Sequence, residues 1–311
     1  MTEERSTFTF IGVTTAQSSI NRIFPRWMAE LGRPDVVLEG VDLRLHDDPG
    51  VYRAVIQRIK DDATALGGVV TSHKVDVFEI ARDLFDELDP YATALGEISS
   101  IDKSAGRLSG SARDPITAGQ ILDALLGPGY FGRTGGAVVC FGAGGSAASI
   151  AAHFARARGP DRPSRFVLVN RSQPRLDQIP VAVARLAREP LPIEPIRNDE
   201  PARNDELVAS VPDASVVINA TGMGKDRPGS PVTDRVLFPR ESIAWDLNYR
   251  GDLLFLRQAR AQAADRRLRV EDGWNYFLRG WAEHIAPVLH IEMTPKLFDR
   301  LARLAAETAG R

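Results

Sequence analysis

Gly142-Ala143-Gly144-Gly145-Ser146-Ala147 stands between an apolar run, Ala137–Phe141, and a segment rich in small residues, Ala147–Ala157. The spacing is G-x-G-x-x-A. Glycine at the first position turns the chain tightly, the second lets a pyrophosphate approach the backbone, and a small third residue lets a helix pack on a sheet. The N–H groups that open the helix then face the phosphates. The same glycines would serve a tight turn with no ligand, but a strand before and a helix after favour a dinucleotide site. The end of the next apolar run, Phe166–Asn170, selects the dinucleotide. A carboxylate there would accept hydrogen bonds from a free ribose hydroxyl. The chain reads instead Asn170-Arg171-Ser172-Gln173-Pro174-Arg175, and the first carboxylate is Asp177. Two guanidiniums and a hydroxyl suit a 2′-phosphate, which a carboxylate would repel. The cofactor expected is NADP.

Such a loop needs a parallel sheet to hold it, and the pattern supplies one. Strand-like runs at Phe8–Val13, Val36–Leu43, Gly67–Thr71, Val138–Phe141, Phe166–Asn170, Val216–Asn219 and Ile243–Leu247 alternate with helical stretches such as Asn21–Leu31, Val51–Leu66 and Ile116–Leu126. Alternation of this kind means βαβ units and an α/β fold with mostly parallel sheets. Within Glu97–Ser111, two short alternating runs flank Lys103-Ser104-Ala105-Gly106, a hairpin signal. The Gly/Pro-rich run Gly127–Gly132 breaks the pattern, and a domain junction is expected just before it, in the helix starting near Pro115. Pro190–Glu206, rich in Pro, Asn and charge, reads as a surface excursion, and Thr294–Arg311 as a terminal helix.

With 311 residues the chain has room for about two domains. A net charge of −2 offers no basic field to nucleic acid or an anionic membrane. The start, Met1–Ser6, is polar and acidic, unlike a signal peptide, and no apolar run approaches the ~20 residues of a membrane span. The single cysteine, Cys140, excludes an intrachain disulfide and reads as a small buried residue, so a cytoplasmic protein is expected. Five histidines without an H-E-x-x-H pattern, beside one cysteine, give no zinc site, and none is expected for any other metal. Trp274, Tyr276, Phe277 and Trp281 read as core or interdomain packing.

Taken in order along nearly the whole chain, the motifs resemble the shikimate dehydrogenase family. Gly142–Ala147 and Asn170–Arg175 match its NADP loop and its N-R-[ST]-x-x-R motif. Gly12 to Asn21 aligns with its serine-rich loop, Gly67–Lys74 with its G-x-N-V-T-x-P-x-K block and Gly110–Asp114 with its G-x-N-T-D block. Asn219-Ala220-Thr221 matches N-A-T, and Asp246–Tyr249 matches D-[ML]-x-Y. The resemblance implies an N-terminal α/β substrate domain over residues 1–115, a Rossmann-type NADP domain over 116–269, and C-terminal helices over 270–311 returning to the first domain. It implies catalysis by Lys74 and Asp114, facing each other across the domain cleft. Asn219, Ala220, Thr221, Met223 and Asn248 would complete the cofactor site, and Ser18, Ser19, Thr71, Ser99 and Tyr249 would touch a carbocyclic substrate. Oxidising an alcohol removes a proton from oxygen as hydride leaves carbon, work a lysine shifted towards neutrality performs near neutral pH. By residue type alone, Lys74 would be a solvated surface charge and Asp114-Pro115 a helix N-cap. A monomer or homodimer is expected, with a small molecule as sole partner.

The substrate loops depart from the family pattern. Ile20 replaces the second serine of S-x-S. Val69, Ser99, Ala112 and Gly280 stand where the family carries carboxamides, and Arg113 replaces a threonine. The Thr71-to-Lys74 interval is one residue short, the usual proline is lost, and His73 sits beside the lysine. A site that has lost hydroxyl-reading groups should bind shikimate poorly unless His73, Arg113, Asn275 or Arg279 replace them. Quinate, an aminoshikimate or another secondary-metabolism polyol is the alternative substrate. A sensor that binds NADP without turnover is the alternative to an enzyme.

Overall fold

The computed structural model describes residues 5–225 and 227–311; of the polar start read above, residues 1–4 lie outside the described residues. Two compact units divide the chain, one formed by Met1–Arg113 with Leu278–Arg311 and the other by Asp114–Phe277.

The first unit carries β1 (Ser6–Gly12), β2 (Val36–Asp42), β3 (Ala65–Val70), β4 (Glu87–Leu88), β5 (Ser100–Ser104) and β6 (Arg107–Ser111), in the order β2-β1-β3-β5-β6-β4. Strand β1 runs parallel to both β2 and β3, whereas β5 is antiparallel to β3 and to β6. The expected hairpin is β5–β6, turned at Ala105 (φ 51°) and Gly106 (φ 75°), a pair of positive-φ residues that matches the twist of the strands. On one sheet face Ile11, Val70 and Ile101 meet Tyr52, Ile56 and Val77 from the helices Pro49–Asp61 and Lys74–Ala81. On the other, Phe8 and Phe10 pack against Trp281 of the helix Trp274–Val288. The indole of Trp27, in the helix Ile20–Glu30, donates to the Leu301 carbonyl (2.8 Å) of the terminal helix Pro295–Ala309. That helix is capped by Thr294, whose hydroxyl accepts from Leu297 N.

The second unit carries β7 (Val138–Phe141), β8 (Phe166–Asn170), β9 (Ile193–Arg197), β10 (Val216–Asn219), β11 (Ile243–Asp246) and β12 (Arg269–Glu271), all parallel, in the order β12-β11-β10-β7-β8-β9. Read from β9, this is the 3-2-1-4-5-6 order of the doubly wound dinucleotide fold. Strands β7, β10 and β11 are buried along their whole length, so they read as unbroken apolar runs.

Two local expectations fail. The helix expected over Val51–Leu66 is Pro49–Asp61, because Asp48 caps its start and the Asp62 carboxylate, accepting from Thr64 N, turns the chain into β3. Pro190–Glu206 is no loop excursion: it contains β9 and opens the helix Pro201–Ala209. Strand β9 is the edge of its sheet and half-exposed, so it shows no apolar run and tolerates Pro195. The short edge strands β4 and β12 likewise lack a readable pattern.

Candidate active site

In the second unit, the expected cofactor residues gather at the carboxyl ends of neighbouring strands. Gly142 follows β7 with φ +104°, and a Cβ there would lie 2.6 Å from the Ala220 carbonyl oxygen. The position therefore demands glycine, and it brings the loop from β7 against the loop from β10. Gly144 is different: a Cβ placed there meets nothing within 4 Å. The helix Gly145–Arg156 begins beside that open space with no side-chain cap, and its first backbone bond runs from Ala148 N to Gly144 O. The N–H groups of Gly145, Ser146 and Ala147 thus precede the helix's own bonding, as a phosphate cradle requires. Ala143 and Ala147 are buried, the latter where the helix meets the sheet. Chain order reverses between β7 and β10, so the loop lies at the switch point where this fold binds dinucleotides.

At the end of β8, Arg171 and Arg175 are exposed and Ser172 half-exposed, while the Asn170 amide donates to Ser172 O (3.3 Å). Among the described residues no carboxylate pairs with either arginine, and Asp177 is engaged by Gln173 (2.8 Å). The open space over Gly144 and these two free guanidiniums fit a dinucleotide with a 2′-phosphate.

Beyond β10 and β11 lies a network the sequence did not announce. Asp246 is fully buried, and its Oδ1 accepts from Asn219 Nδ2 (3.1 Å), Asn248 N (2.9 Å) and Asn248 Nδ2 (2.9 Å). The Asn248 amide also donates to the carbonyls of Thr221 (3.0 Å) and Met223 (3.1 Å). Asn219 Oδ1 accepts from Thr221 N (3.1 Å) and Thr221 Oγ1 (2.6 Å). One carboxylate therefore organises the whole Asn219–Met223 loop. Burial pushes its pKa up to about 6, more than the three donors lower it. Its position in the Asp246–Tyr249 block was legible; its burial was not. Tyr249 packs on Phe277, ring centroids 4.5 Å apart, and on Trp274.

In the first unit, the expected substrate residues lie past the carboxyl ends of β1 and β3 and at the start of β5, interior strands of the sheet. Ser18 and Ser19 are half-exposed and open the helix Ile20–Glu30, whose first residue, Ile20, points into the core. Two residues missed in the sequence hold this loop. Asp42, at the end of β2, accepts from Thr15 N (2.7 Å) and Thr15 Oγ1 (2.6 Å), bonds that hold its carboxyl below the usual range. Asn21 donates to the carbonyls of Thr15 (2.8 Å), Ala16 (3.1 Å) and Ser18 (3.2 Å). Thr71 is exposed after β3, its hydroxyl donating to Ile11 O (3.1 Å).

Lys74, half-buried, begins its helix, and its carbonyl accepts from Ile98 N (2.9 Å). The next residue, Ser99, is fully buried; its hydroxyl accepts from Arg113 N (2.8 Å), so it is committed within the protein. Asp114 is buried and begins the helix Asp114–Leu126 of the second unit.

Three of the four candidates for supplying ring contacts are engaged elsewhere. Arg113 pairs with Glu283 (2.9 Å), and the Arg279 guanidinium lies 3.7 Å over the Phe298 ring. His73 is fully buried, with Nδ1 3.0 Å from the Tyr52 hydroxyl, and Asn275 is exposed in the other unit. No group of metal-ligating side chains occurs among the described residues, nor a helix long and apolar enough to cross a membrane. Cys140 is buried, its thiol pushed up to about 12, which removes it from nucleophilic chemistry.

Fold and loops together define a two-domain α/β protein of the dinucleotide-dependent dehydrogenase type. No family model matches the chain. It is 27% identical to a shikimate dehydrogenase (NADP(+)) of Methylobacterium radiotolerans over 96% of both chains, and 26% identical to one of Stenotrophomonas maltophilia over 92% and 93%. The solved shikimate 5-dehydrogenase of Thermus thermophilus, in complex with NADP(H) and shikimate, superposes with a TM-score of 0.69 at 22% identity over 96% and 99%. By sequence and by fold the chain is similar to the shikimate dehydrogenases.

Proposed function

We propose that the chain is an NADP-dependent oxidoreductase that interconverts an alcohol and a ketone on a shikimate-like carbocycle, in the cytoplasm. The cofactor side carries this reading: an open glycine cradle at a helix start and, one strand over, two exposed arginines without a carboxylate. Full-length similarity to enzymes bearing that name supports the same chemistry.

NADP, when bound, accepts or returns the hydride. Gly142–Ala147 hold its pyrophosphate, Asn170, Arg171, Ser172 and Arg175 its 2′-phosphate, and Asn219–Thr221, Met223 and Asn248 the nicotinamide end. Lys74 takes the hydroxyl proton as hydride leaves the ring carbon, and returns it to the carbonyl oxygen in reduction. The Asp114 carboxylate accepts a hydrogen bond from the same group in its hydroxyl form and steadies the ammonium. Ser18 and Ser19 receive the ring's polar substituent, with Thr71 and Tyr249 beside it. Ser99 serves them indirectly, by fixing the Arg113 backbone.

Cofactor choice is the first test. Arg171→Ala with Arg175→Ala removes two charge-assisted contacts, each worth about 1.5–3 kcal/mol. NADPH affinity should fall about a hundredfold or more, with NADH affinity little changed, as read by fluorescence titration. Equal affinity of the unaltered protein for the two cofactors would refute the proposal.

A further inference from the structure

We infer that Arg197, at the end of β9, is a third guanidinium of the 2′-phosphate site; the inference rests on NADP being the cofactor. Strands β8 and β9 are parallel, and their register pairs Asn170 directly with Arg197. Paired residues of neighbouring strands project from the same face of a sheet, about 4.8 Å apart. Arg197 thus stands beside the first residue of the phosphate-reading segment, on the same side as the Asn170 side chain.

Its backbone is anchored. The N–H of Asn198 donates to Asn170 O (3.0 Å), which carries the pairing one residue past the strand. The buried Asn198 amide donates to Asn204 Oδ1 (2.6 Å), and the buried Asn204 amide to Pro231 O (2.7 Å). The Arg197 side chain itself is exposed and, among the described residues, engages no carboxylate. The acidic neighbour on its strand, Glu194, is already held by Arg165 (2.7 Å). An unneutralised guanidinium on a fixed backbone, paired with Asn170, fits a phosphate monoester dianion. Arginine can meet such a group with two parallel hydrogen bonds.

The probes are adenosine 2′,5′-bisphosphate and adenosine 5′-monophosphate, titrated calorimetrically into the full chain and into Arg197→Ala and Arg197→Lys. The expected result is that Arg197→Ala weakens the bisphosphate about tenfold, the loss typical of one charge-assisted contact, and leaves the monophosphate unchanged. Arg197→Lys should fall between, since it keeps the charge and loses the fork. Bisphosphate affinity unchanged in Arg197→Ala would overturn the inference, as would an equal loss for both probes, which would mark a role at the adenosine or in the fold. If the unaltered chain fails to prefer the bisphosphate, the NADP reading falls and the inference with it.

Discussion

Lys74 is the residue on which the proposed chemistry turns. Its replacement by alanine should lower turnover on the best substrate by about 10²–10⁴-fold, the usual contribution of a positioned acid or base. NADPH binding should survive, because the proposed cofactor residues belong to the other unit. Wild-type turnover in that variant would remove Lys74 from the mechanism. Asp246 makes a different prediction. Its carboxyl titrates near 6 when folded and near 3.9 when unfolded, so the folded state binds the proton more tightly. Stability from this group is complete below about pH 4 and is lost as pH rises through about 6. Asp246→Asn cannot titrate. Between pH 7 and pH 4 the wild type should therefore gain about 2–3 kcal/mol on the variant in urea unfolding. A difference that stays flat with pH would show that the carboxyl is not perturbed.

Among the elements, the loop after β7 depends on one backbone conformation. Gly142→Ala forces a Cβ into the left-handed region and against the Ala220 carbonyl, at a cost of about 2 kcal/mol or more. A Tm lower by about 4–8 °C should follow, together with weakened NADPH binding. An unchanged Tm would mean that the loop shifts freely. This loop was legible because its signal is local: glycine spacing, a strand before and a helix after. Strands β7, β8 and β10 match their expected bounds since buried parallel strands are continuous apolar runs. The edge strand β9 was not legible, because half its residues face water and its hydrogen bonds come from one neighbour only. The site followed the same division. Gly142, Arg171 and Lys74 belong to spaced motifs, whereas Asp246, Asp42 and Asn21 act through distant partners. Their bonds to Asn219, Thr15 and the carbonyls of residues 15–18 exist only once the chain is folded. Ser99 was legible as a polar residue near the site, but its commitment to Arg113 N was not.

Across the whole molecule, the proposed cofactor motifs match the pattern of the family the chain resembles, while the proposed substrate loops depart from it. Val69 and Ala112 are buried apolar residues, Ile20 is core, and Arg113, Arg279 and His73 are tied to Glu283, Phe298 and Tyr52. Each missing bond to a ring hydroxyl costs of order 1–3 kcal/mol. Shikimate should therefore be a poor substrate with a high KM, and a less hydroxylated or differently substituted ring a better one. Steady-state kinetics with shikimate, quinate and deoxygenated analogues at fixed NADP decide this. A kcat/KM for shikimate of about 10⁴ M⁻¹s⁻¹ or more, and the highest of the series, would contradict it. The discontinuity of the first unit bears on how such a chain is made. Its sheet is complete by Ser111, yet Trp281 and Leu301, which seal one side of it, come after the entire second unit. On the ribosome, the cofactor unit emerges whole while the earlier unit still exposes Phe8, Phe10 and Trp27. The first unit to begin synthesis is thus the last to close, and a ribosome that stalls before Leu278 releases a chain with one finished half and one adhesive half.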